Sequence, residues 1–356
     1  MLFPAPEAWR ASDASGLLGD LATDTERVFV ARRDGSVLAY AARDGRALWR
    51  REAGTGRLSA AAGGVFLRSD DGKVVRLDPA SGRPAWTSDS GVLGPAPAVI
   101  DGDLVFVAGA GLAALSASDG RLVWKAQDGA DVTAPAVAQG ARLYVGEEDG
   151  TLRCRDRATG VTRWTFKTAT ALHAPVVADG DRVLLGTTDG RFVSLSAEKG
   201  DVRWRFKLGA DVLGQAALFE HHSVLFASYE NVLYAVDRNN GHLRWRSTLP
   251  SRPIDGPRLS GSAAVVACQE SDVVAYDARS GRRLGSLTAP APIRTPPLLL
   301  ADRLFLGLRD RALVAFQLDL TPSKQAWSPR GPRPTPAPSG APGRERERDR
   351  IPVAQP

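Results

Sequence analysis

Short apolar runs alternate with glycine-containing turns along almost the whole chain. In residues 130–168, four such runs follow one another: TAPAVA, ARLYVGE, TLRCRD and VTRWTFK. Runs of this length between turn residues predict β-strands. Glycine adopts the positive φ that tight hairpin turns need, and asparagine is the next best residue there. The pattern therefore predicts an all-β protein with hairpin turns at Asp34-Gly35, Asp71-Gly72, Asp149-Gly150, Asp189-Gly190 and Asn231.

The strand pattern recurs with a period of 37 to 41 residues, marked by a tryptophan and by a glycine four residues before it. A fixed period of this length is typical of a repeat architecture, and four strands per repeat is one propeller blade. A seventh copy keeps the glycine but has Gly285 in the tryptophan position. The repeat residues are Trp49, Trp86, Trp124, Trp164, Trp204 and Trp245, with Gly45, Gly82, Gly120, Gly160, Gly200, Gly241 and Gly281.

The last copy stops after three strands, and the missing strand is predicted at the other end of the chain, around Trp9. Gly19 follows Trp9 by ten residues, as Gly214 follows Trp204. We therefore predict an eight-bladed β-propeller with four-stranded antiparallel blades, closed by the N-terminal strand pairing into the last blade. The predicted boundaries are a short N-terminal extension (1–8), one propeller domain (9–318) and a Pro/Arg-rich disordered tail (319–356).

The repeated residues are interpreted as structural, because a catalytic site occurs once and these residues occur six times or more. A tryptophan is a large apolar plate suited to packing between neighbouring blades, and each glycine ends a turn that a Cβ would strain. At Gly285, two alternatives stay open. Leu284 fills the gap left by the missing tryptophan, or that blade junction is looser.

Composition excludes several function classes. The formal charge is +6, but residues 320–356 contain seven Lys/Arg and three Asp/Glu, so +4 belongs to the tail and +2 to the body. A near-neutral body does not predict nucleic-acid binding. Cys154 and Cys268 are far apart and predict neither a disulfide framework nor a metal cluster. His221 and His222 are adjacent in a predicted turn and do not predict a metal site, and no nucleotide or hydrolase motif occurs.

The copies ALSASDGRLVW (114–124), AVDRNNGHLRW (235–245) and AYDARSG (275–281) resemble the tryptophan-docking motif of pyrroloquinoline-quinone-like (PQQ-like) β-propeller repeats. The resemblance covers residues 9–318. It implies either a quinoprotein dehydrogenase or a BamB-like protein that binds partners without a cofactor. Quinoprotein alcohol dehydrogenases carry adjacent cysteines and an asparagine among their calcium ligands. Here the two cysteines are separate, and Asn231, Asn239 and Asn240 all fall in the turns of one blade. The departures favour the BamB-like form.

Residues just before each innermost strand are expected near one mouth of the central channel. Most are aliphatic, and clustered exposed aliphatic side chains form partner surfaces. The alternative is that they plug the narrow end of the channel. No second histidine or carboxylate accompanies His173 in this set, so it is not assigned as a base or ligand. The candidate mouth residues are Leu18, Leu58, Leu93, Thr133, His173, Leu213, Ile254 and Arg294.

These observations favour a non-catalytic interaction scaffold that presents its rims and channel mouth to protein partners. The alternatives are a quinone- or metal-dependent oxidoreductase and a ligand-sensing module of a signalling system. No residue is assigned a catalytic, cofactor-binding or metal-binding role, and no cofactor is expected; PQQ with calcium belongs to the oxidoreductase alternative. We expect a monomer that binds no nucleic acid and has no membrane span. The start MLFPAPEAW lacks the features of a signal peptide, so cytoplasmic localisation is expected, or periplasmic or envelope-associated if the N-terminus is truncated or mis-assigned.

Overall fold

The computed structural model describes residues 3, 5–12, 15–61, 63–212 and 214–319. These residues form 32 strands in eight four-stranded antiparallel sheets, which are the blades of a propeller. The predicted fold class is therefore confirmed. The tail predicted for 319–356 lies outside the described residues, apart from Asp319.

The blades follow one another along the chain, and each runs from an innermost to an outermost strand. Blade 1 contains β2 (Leu17–Thr23), β3 (Arg27–Arg32), β4 (Ser36–Ala41) and β5 (Ala47–Glu52). Blade 2 contains β6 (Arg57–Ala61), β7 (Gly64–Arg68), β8 (Lys73–Leu77) and β9 (Pro84–Asp89). Blade 3 contains β10 (Val99–Asp101), β11 (Leu104–Gly109), β12 (Gly111–Ser116) and β13 (Leu122–Ala126). Blade 4 contains β14 (Val137–Gln139), β15 (Arg142–Gly146), β16 (Thr151–Asp156) and β17 (Thr162–Lys167).

The second half of the ring repeats this arrangement. Blade 5 contains β18 (Val177–Asp179), β19 (Arg182–Gly186), β20 (Arg191–Ser196) and β21 (Val202–Lys207). Blade 6 contains β22 (Ala217–Phe219), β23 (Ser223–Ser228), β24 (Val232–Asp237) and β25 (Leu243–Thr248). Blade 7 contains β26 (Arg258–Ser260), β27 (Ala263–Ala267), β28 (Asp272–Asp277) and β29 (Arg283–Thr288). Blade 8 contains β30 (Leu298–Leu300), β31 (Arg303–Gly307), β32 (Ala312–Gln317) and β1 (Glu7–Ser12).

The N-terminal strand closes the ring as predicted. β1 pairs antiparallel with β32, and Trp9 lies opposite Ala315 in the ladder. The pairing covers the last open strand edge of blade 8, so first and last blades belong to one continuous ring. Apolar clusters fill the spaces between adjacent sheets; one of them joins Val30 of blade 1 to Phe305 of blade 8.

Seven of the eight blade junctions use the same contact between a tryptophan and a glycine. In each, the indole ring lies where the glycine's Cβ would be, with the nearest ring atom only 2.5 to 2.6 Å from that position. Each indole N–H also donates to a backbone carbonyl of the next blade at 2.9 to 3.2 Å. The pairs are Trp9–Gly45, Trp49–Gly82, Trp86–Gly120, Trp124–Gly160, Trp164–Gly200, Trp204–Gly241 and Trp245–Gly281.

The eighth junction, between blades 7 and 8, is filled by Phe3. This side chain is only 3% exposed and belongs to the apolar cluster shared by these two blades. A Cβ built on Gly285 would lie 3.0 Å from the Cβ of Phe3. Leu284 is half-buried against the same cluster. The gap at Gly285 is therefore filled chiefly by the N-terminal segment, a solution that neither sequence-based alternative contained.

The tryptophan–glycine contact predicts that two glycine-to-alanine substitutions lower the free energy of unfolding by different amounts. Gly200 and Gly180 both have positive φ, at 77° and 60°, but only Gly200 faces a tryptophan ring; nothing lies within 4 Å of a Cβ on Gly180. Both alanine variants carry the left-handed backbone cost of about 1–2 kcal/mol. Gly200→Ala additionally displaces Trp164, and we expect about 1–3 kcal/mol more destabilisation from that overpacking. Urea unfolding midpoints measure the difference, and equal midpoints for the two variants would contradict it.

The filled eighth junction predicts that the N-terminal segment stabilises the ring. Phe3→Ala removes a buried aromatic side chain and leaves a cavity, a change that costs about 3–5 kcal/mol in other cores. We expect a loss at the lower end of that range in urea unfolding. Phe3→Leu is the control, because it keeps apolar volume at the junction and should lose less than half as much. A Phe3→Ala midpoint equal to that of the unsubstituted protein would refute this role.

Candidate functional site

A cavity of about 610 Å³ opens at the channel mouth, across the start of blades 2 to 5. One wall is the linker that enters blade 3, with Leu93, Pro95 and Pro97, and the rest is contributed by linkers and hairpin turns of neighbouring blades. This volume is within the range of ligand pockets in proteins, about 300–1,000 Å³. We call it the mouth cavity; it is lined by Arg57, Leu93, Gly94, Pro95, Ala96, Pro97, Gly109, Ala110, Asp131, Val132, Thr133, Pro135, Glu148 and His173.

The side chain of Arg68 binds the linker at 92–97 from the protein interior. Arg68 is the last residue of β7 and is only 1% exposed. Its guanidinium donates to the carbonyl oxygens of Val92 at 3.0 Å and Ala96 at 2.6 Å, and to that of Gly94. An arginine presents five donors in a rigid planar fork, so one side chain can bind several carbonyls of a curved segment. The linker is thereby fixed with Leu93 facing outward, 57% exposed.

Arg68 is charged although its guanidinium contacts backbone oxygens instead of a carboxylate. Burial lowers the pKa of Arg68 below its ordinary value, and the charge of Asp70 opposes that shift. Arginine nevertheless stays protonated in proteins because its ordinary pKa is above 12. A buried charge is costly unless hydrogen bonds replace its hydration, and the three carbonyl contacts supply them for the two terminal nitrogens; among the described residues, the buried Nε has no hydrogen-bond partner.

Two glycines let the linker pack directly against β11. A Cβ on Gly109 would lie 2.0 Å from the carbonyl oxygen of Leu93, so only glycine fits there. Gly94 has a φ of 140°, and a Cβ on it would approach the Cα of Gly109 at 3.0 Å. The Ala110 N–H donates to Leu93 O at 2.7 Å, which completes a rigid backbone contact.

The rim of the mouth cavity carries charges of both signs. Arg57 and His173 lie on it with Asp131 and Glu148, and Glu148 N–H donates to Asp131 O at 2.8 Å. Thr133 Oγ1 donates to Leu172 O at 2.5 Å, which brings the linkers of blades 4 and 5 together beside His173. Within the described ranges, His173 makes no hydrogen bond or salt bridge.

The eight candidate mouth residues do not form one continuous surface. Leu93, Thr133 and His173 line the mouth cavity together. Leu18 and Ile254 are half-buried and pack against the clusters between blades. Arg294 lines a different, smaller cavity, between blades 8 and 1. Leu213 lies outside the described residues.

The prediction that Leu58 lies at the channel mouth is wrong, and Arg57 occupies that position instead. Leu58 is 4% exposed and lies in the apolar cluster between blades 1 and 2, whereas Arg57 lines the mouth cavity. The linker into blade 2 is one residue shorter than assumed, since Arg57 pairs with Arg68 as Leu18 pairs with Ala31. A shift of one residue turns a strand side chain to the opposite face.

The sequence-based reading missed Arg68, Pro95 and Pro97. Pro97 recurs in the linkers into blades 4 and 5 as Pro135 and Pro175, so it gives no particular signal; Pro95, two residues before it in GVLGPAPAVI, is the residue that could have drawn attention to this linker. No comparable signal exists for Arg68, because its partners are 24 to 28 residues away and the contact depends on the folded path of the linker.

The cysteines and the histidine pair that the sequence analysis considered lie away from the mouth cavity. Cys154 and Cys268 are fully buried free thiols, and desolvation raises the pKa of each to about 11. His221 and His222 are exposed in the turn between β22 and β23. Over the described ranges, no three His, Cys, Asp or Glu side chains gather in a metal-binding arrangement. The same ranges contain no helix with the length and apolarity that a membrane crossing requires.

Comparison with known families agrees with this architecture. The family model described as "Outer membrane protein assembly factor BamB" matches residues 5–69, 70–211, 148–288 and 229–347, which together cover most of the chain. The chain belongs to this BamB family. No curated protein sequence matches the chain significantly. The family membership confirms the PQQ-like repeat resemblance and the BamB-like form that the repeats predicted.

Solved structures show that this BamB-family propeller shares its fold with proteins of different descriptions. BamB from Moraxella catarrhalis is 18% identical, with a TM-score of 0.74, over 88% of this chain and 99% of that one. The computationally designed Ika8 protein is 14% identical, with a TM-score of 0.75, over 87% and 99%. Quinohemoprotein alcohol dehydrogenase from Comamonas testosteroni is 12% identical, with a TM-score of 0.72, over 88% and 76%. At these identities the likeness concerns the fold alone.

The bonds of Arg68 predict that a single buried substitution loosens the mouth cavity. Arg68→Met leaves three carbonyls without their donor, two of them in buried contacts, and an unsatisfied buried acceptor costs about 1–3 kcal/mol. We expect protection of the Gly94 and Ala110 amides from hydrogen exchange to fall at least tenfold, while amides in blade 6 are unchanged. Arg121→Met is the control, because the side chain of Arg121 is 84% exposed. Unchanged protection at Ala110 in Arg68→Met would rule out the proposed support.

Proposed function

We propose that this chain is a non-catalytic scaffold that binds a protein partner at the mouth cavity. The observation that carries the proposal is the exposed Leu93, held on a rigid linker beside a large, mostly apolar hollow. A soluble protein does not usually leave a large aliphatic side chain on a fixed, concave apolar surface unless something covers it. Leu93 and the two prolines beside it are the residues assigned to partner contact.

The physical character of the surface suits a protein segment. Binding energy at interfaces concentrates in a few well-packed apolar anchors, which a polar rim surrounds. Leu93, Pro95 and Pro97 supply the apolar centre, and Arg57, Asp131, Glu148 and His173 supply a rim of mixed charge. The linker is already ordered by Arg68 and by its contact with Gly109, so little conformational entropy is lost when a partner binds.

Family membership supports the same conclusion at a coarser level. The matching family model carries the description of an assembly factor, which is a role performed through contacts with other proteins. We extend that role to this chain as contact with a protein partner, without assigning the partner's identity. The proposal requires no cofactor. Titration with pyrroloquinoline quinone and calcium, followed by absorbance, is the direct check on the oxidoreductase alternative.

The proposal predicts that one substitution at the mouth cavity removes partner binding. In a crosslinking pull-down from soluble and membrane fractions, we expect Leu93→Asp to reduce capture of a defined partner at least tenfold. The reason is that a carboxylate in the apolar centre of an interface loses its hydration without gaining a partner. A chain truncated after Leu320 should capture the same partner, because the mouth cavity belongs to the propeller.

The matched control is Leu122→Asp. Leu122 is 54% exposed, nearly the same as Leu93, but lies at the start of β13 and does not line the mouth cavity. Equal capture by Leu93→Asp and Leu122→Asp would overturn the assignment of the mouth cavity as the binding surface. Capture that disappears on truncation after Leu320 would place the interaction on the tail.

A further inference from the structure

A second, smaller cavity lies at the junction that closes the ring, between blades 8 and 1. Its volume is about 240 Å³, and none of its lining residues belongs to the mouth cavity. Among the residues that the structure describes, eight line it; four of these are arginines and none is acidic. We call it the arginine pocket; it is lined by Ser15, Gly16, Leu17, Arg33, Arg294, Leu308, Arg309 and Arg311.

Backbone hydrogen bonds fix the main chain at each of the four arginines. Each backbone N–H donates to a carbonyl oxygen in the same region. Arg33 binds Gly16 O at 3.3 Å, Arg294 binds Gly307 O at 2.8 Å, Arg309 binds Pro292 O at 2.8 Å and Arg311 binds Leu308 O at 3.2 Å. Two buried leucines form the base of the pocket: Leu308 is fully buried and Leu17 is 5% exposed. The arginine side chains themselves are exposed and accessible from solvent.

Two described carboxylates adjacent in sequence to these arginines, Asp310 and Asp34, have other partners. Asp310 accepts the N–H of Ala312 at 3.1 Å and lies 3.5 Å from Arg10. Asp34 accepts from Ser36 and forms a salt bridge of 3.1 Å with Arg50. Among the residues that the structure describes, Arg33, Arg294 and Arg309 have no carboxylate within salt-bridge distance. Arg311 is engaged in an interaction of its own.

Several arginine side chains around one concavity create a positive potential there, and an anion placed among them is attracted to each guanidinium, which offsets the repulsion between these groups. The planar fork of each guanidinium matches two oxygen atoms of a carboxylate or a phosphate. The concavity is smaller than the roughly 300 Å³ at which pockets for whole small molecules begin, so its size suits one anionic group.

We propose that the arginine pocket binds an oxyanion group, a carboxylate or a phosphate. Arg33, Arg294 and Arg309 are the residues that contact it, and backbone hydrogen bonds to Gly16, Gly307 and Pro292 fix the main chain from which their side chains extend. The binding is electrostatic at an exposed site, so it weakens as ionic strength rises. The site is independent of the mouth cavity, so the result of a test of oxyanion binding does not decide the proposed scaffold function.

Isothermal titration of the full chain with two probes tests the proposal and separates the two sources. The probes are inorganic phosphate and an acetylated, amidated tetraglutamate peptide, each at low and at high salt. We expect saturable one-to-one binding of at least one probe at low salt, weakened at least fivefold at high salt. The probe that binds more tightly identifies the source of the oxyanion.

Paired variants show whether the arginine pocket is responsible. Arg294→Gln with Arg309→Gln should weaken binding at least tenfold, whereas Arg282→Gln with Arg121→Gln removes the same charge from exposed arginines that do not line the pocket. Thermal unfolding shows whether each pair is folded, and Arg33→Gln alone serves as a second variant if the first pair unfolds. Absence of saturable binding by either probe, or an equal loss in the control pair, would overturn the proposal.

Discussion

The whole ring depends on an indole ring that lies where a neighbouring glycine has no side chain. At seven junctions the tryptophan covers a glycine with positive φ and binds a backbone carbonyl of the same turn. Any Cβ at the glycine would collide with the ring, and any smaller residue at the tryptophan would leave a gap. Seven of the eight blades are thereby attached to the next by the same contact.

The repeated contact closes the ring between blades 8 and 1, through Trp9 and Gly45, but it is missing between blades 7 and 8, because blade 8 is assembled from two separate segments of the chain. β1 supplies the outermost strand of blade 8, but the hairpin turn that would precede it does not exist at a chain terminus. The seventh blade has Gly285 in place of the tryptophan, and Phe3 packs against it from the other side of the junction. The apolar side chain that fills the junction between blades 7 and 8 therefore comes from the N-terminal segment instead of from blade 7.

The difference between repeated contacts and contacts that occur once explains how much of the structure the sequence could predict. The period, the turn residues and the matching patterns around Trp9 and Trp204 determine the blades and their closure, because each acts within one or two repeats. Leu58 was misassigned because a single-residue difference in linker length is invisible in the period but reverses the direction of a strand side chain. Arg68 and the arginine pocket could not be predicted, since their contacts depend on how linkers from different blades fold back.

Residues that occur once in the repeats therefore carry what is particular to this protein. The mouth cavity and the arginine pocket are both built from linkers entering the innermost strands and from the hairpin turns between the second and third strands. In an antiparallel blade these segments lie at the same end, so both features open on one face of the propeller. A partner that covers that face meets an apolar centre around Leu93 and a separate cationic hollow at the ring closure, and their spacing on a rigid ring fixes its orientation.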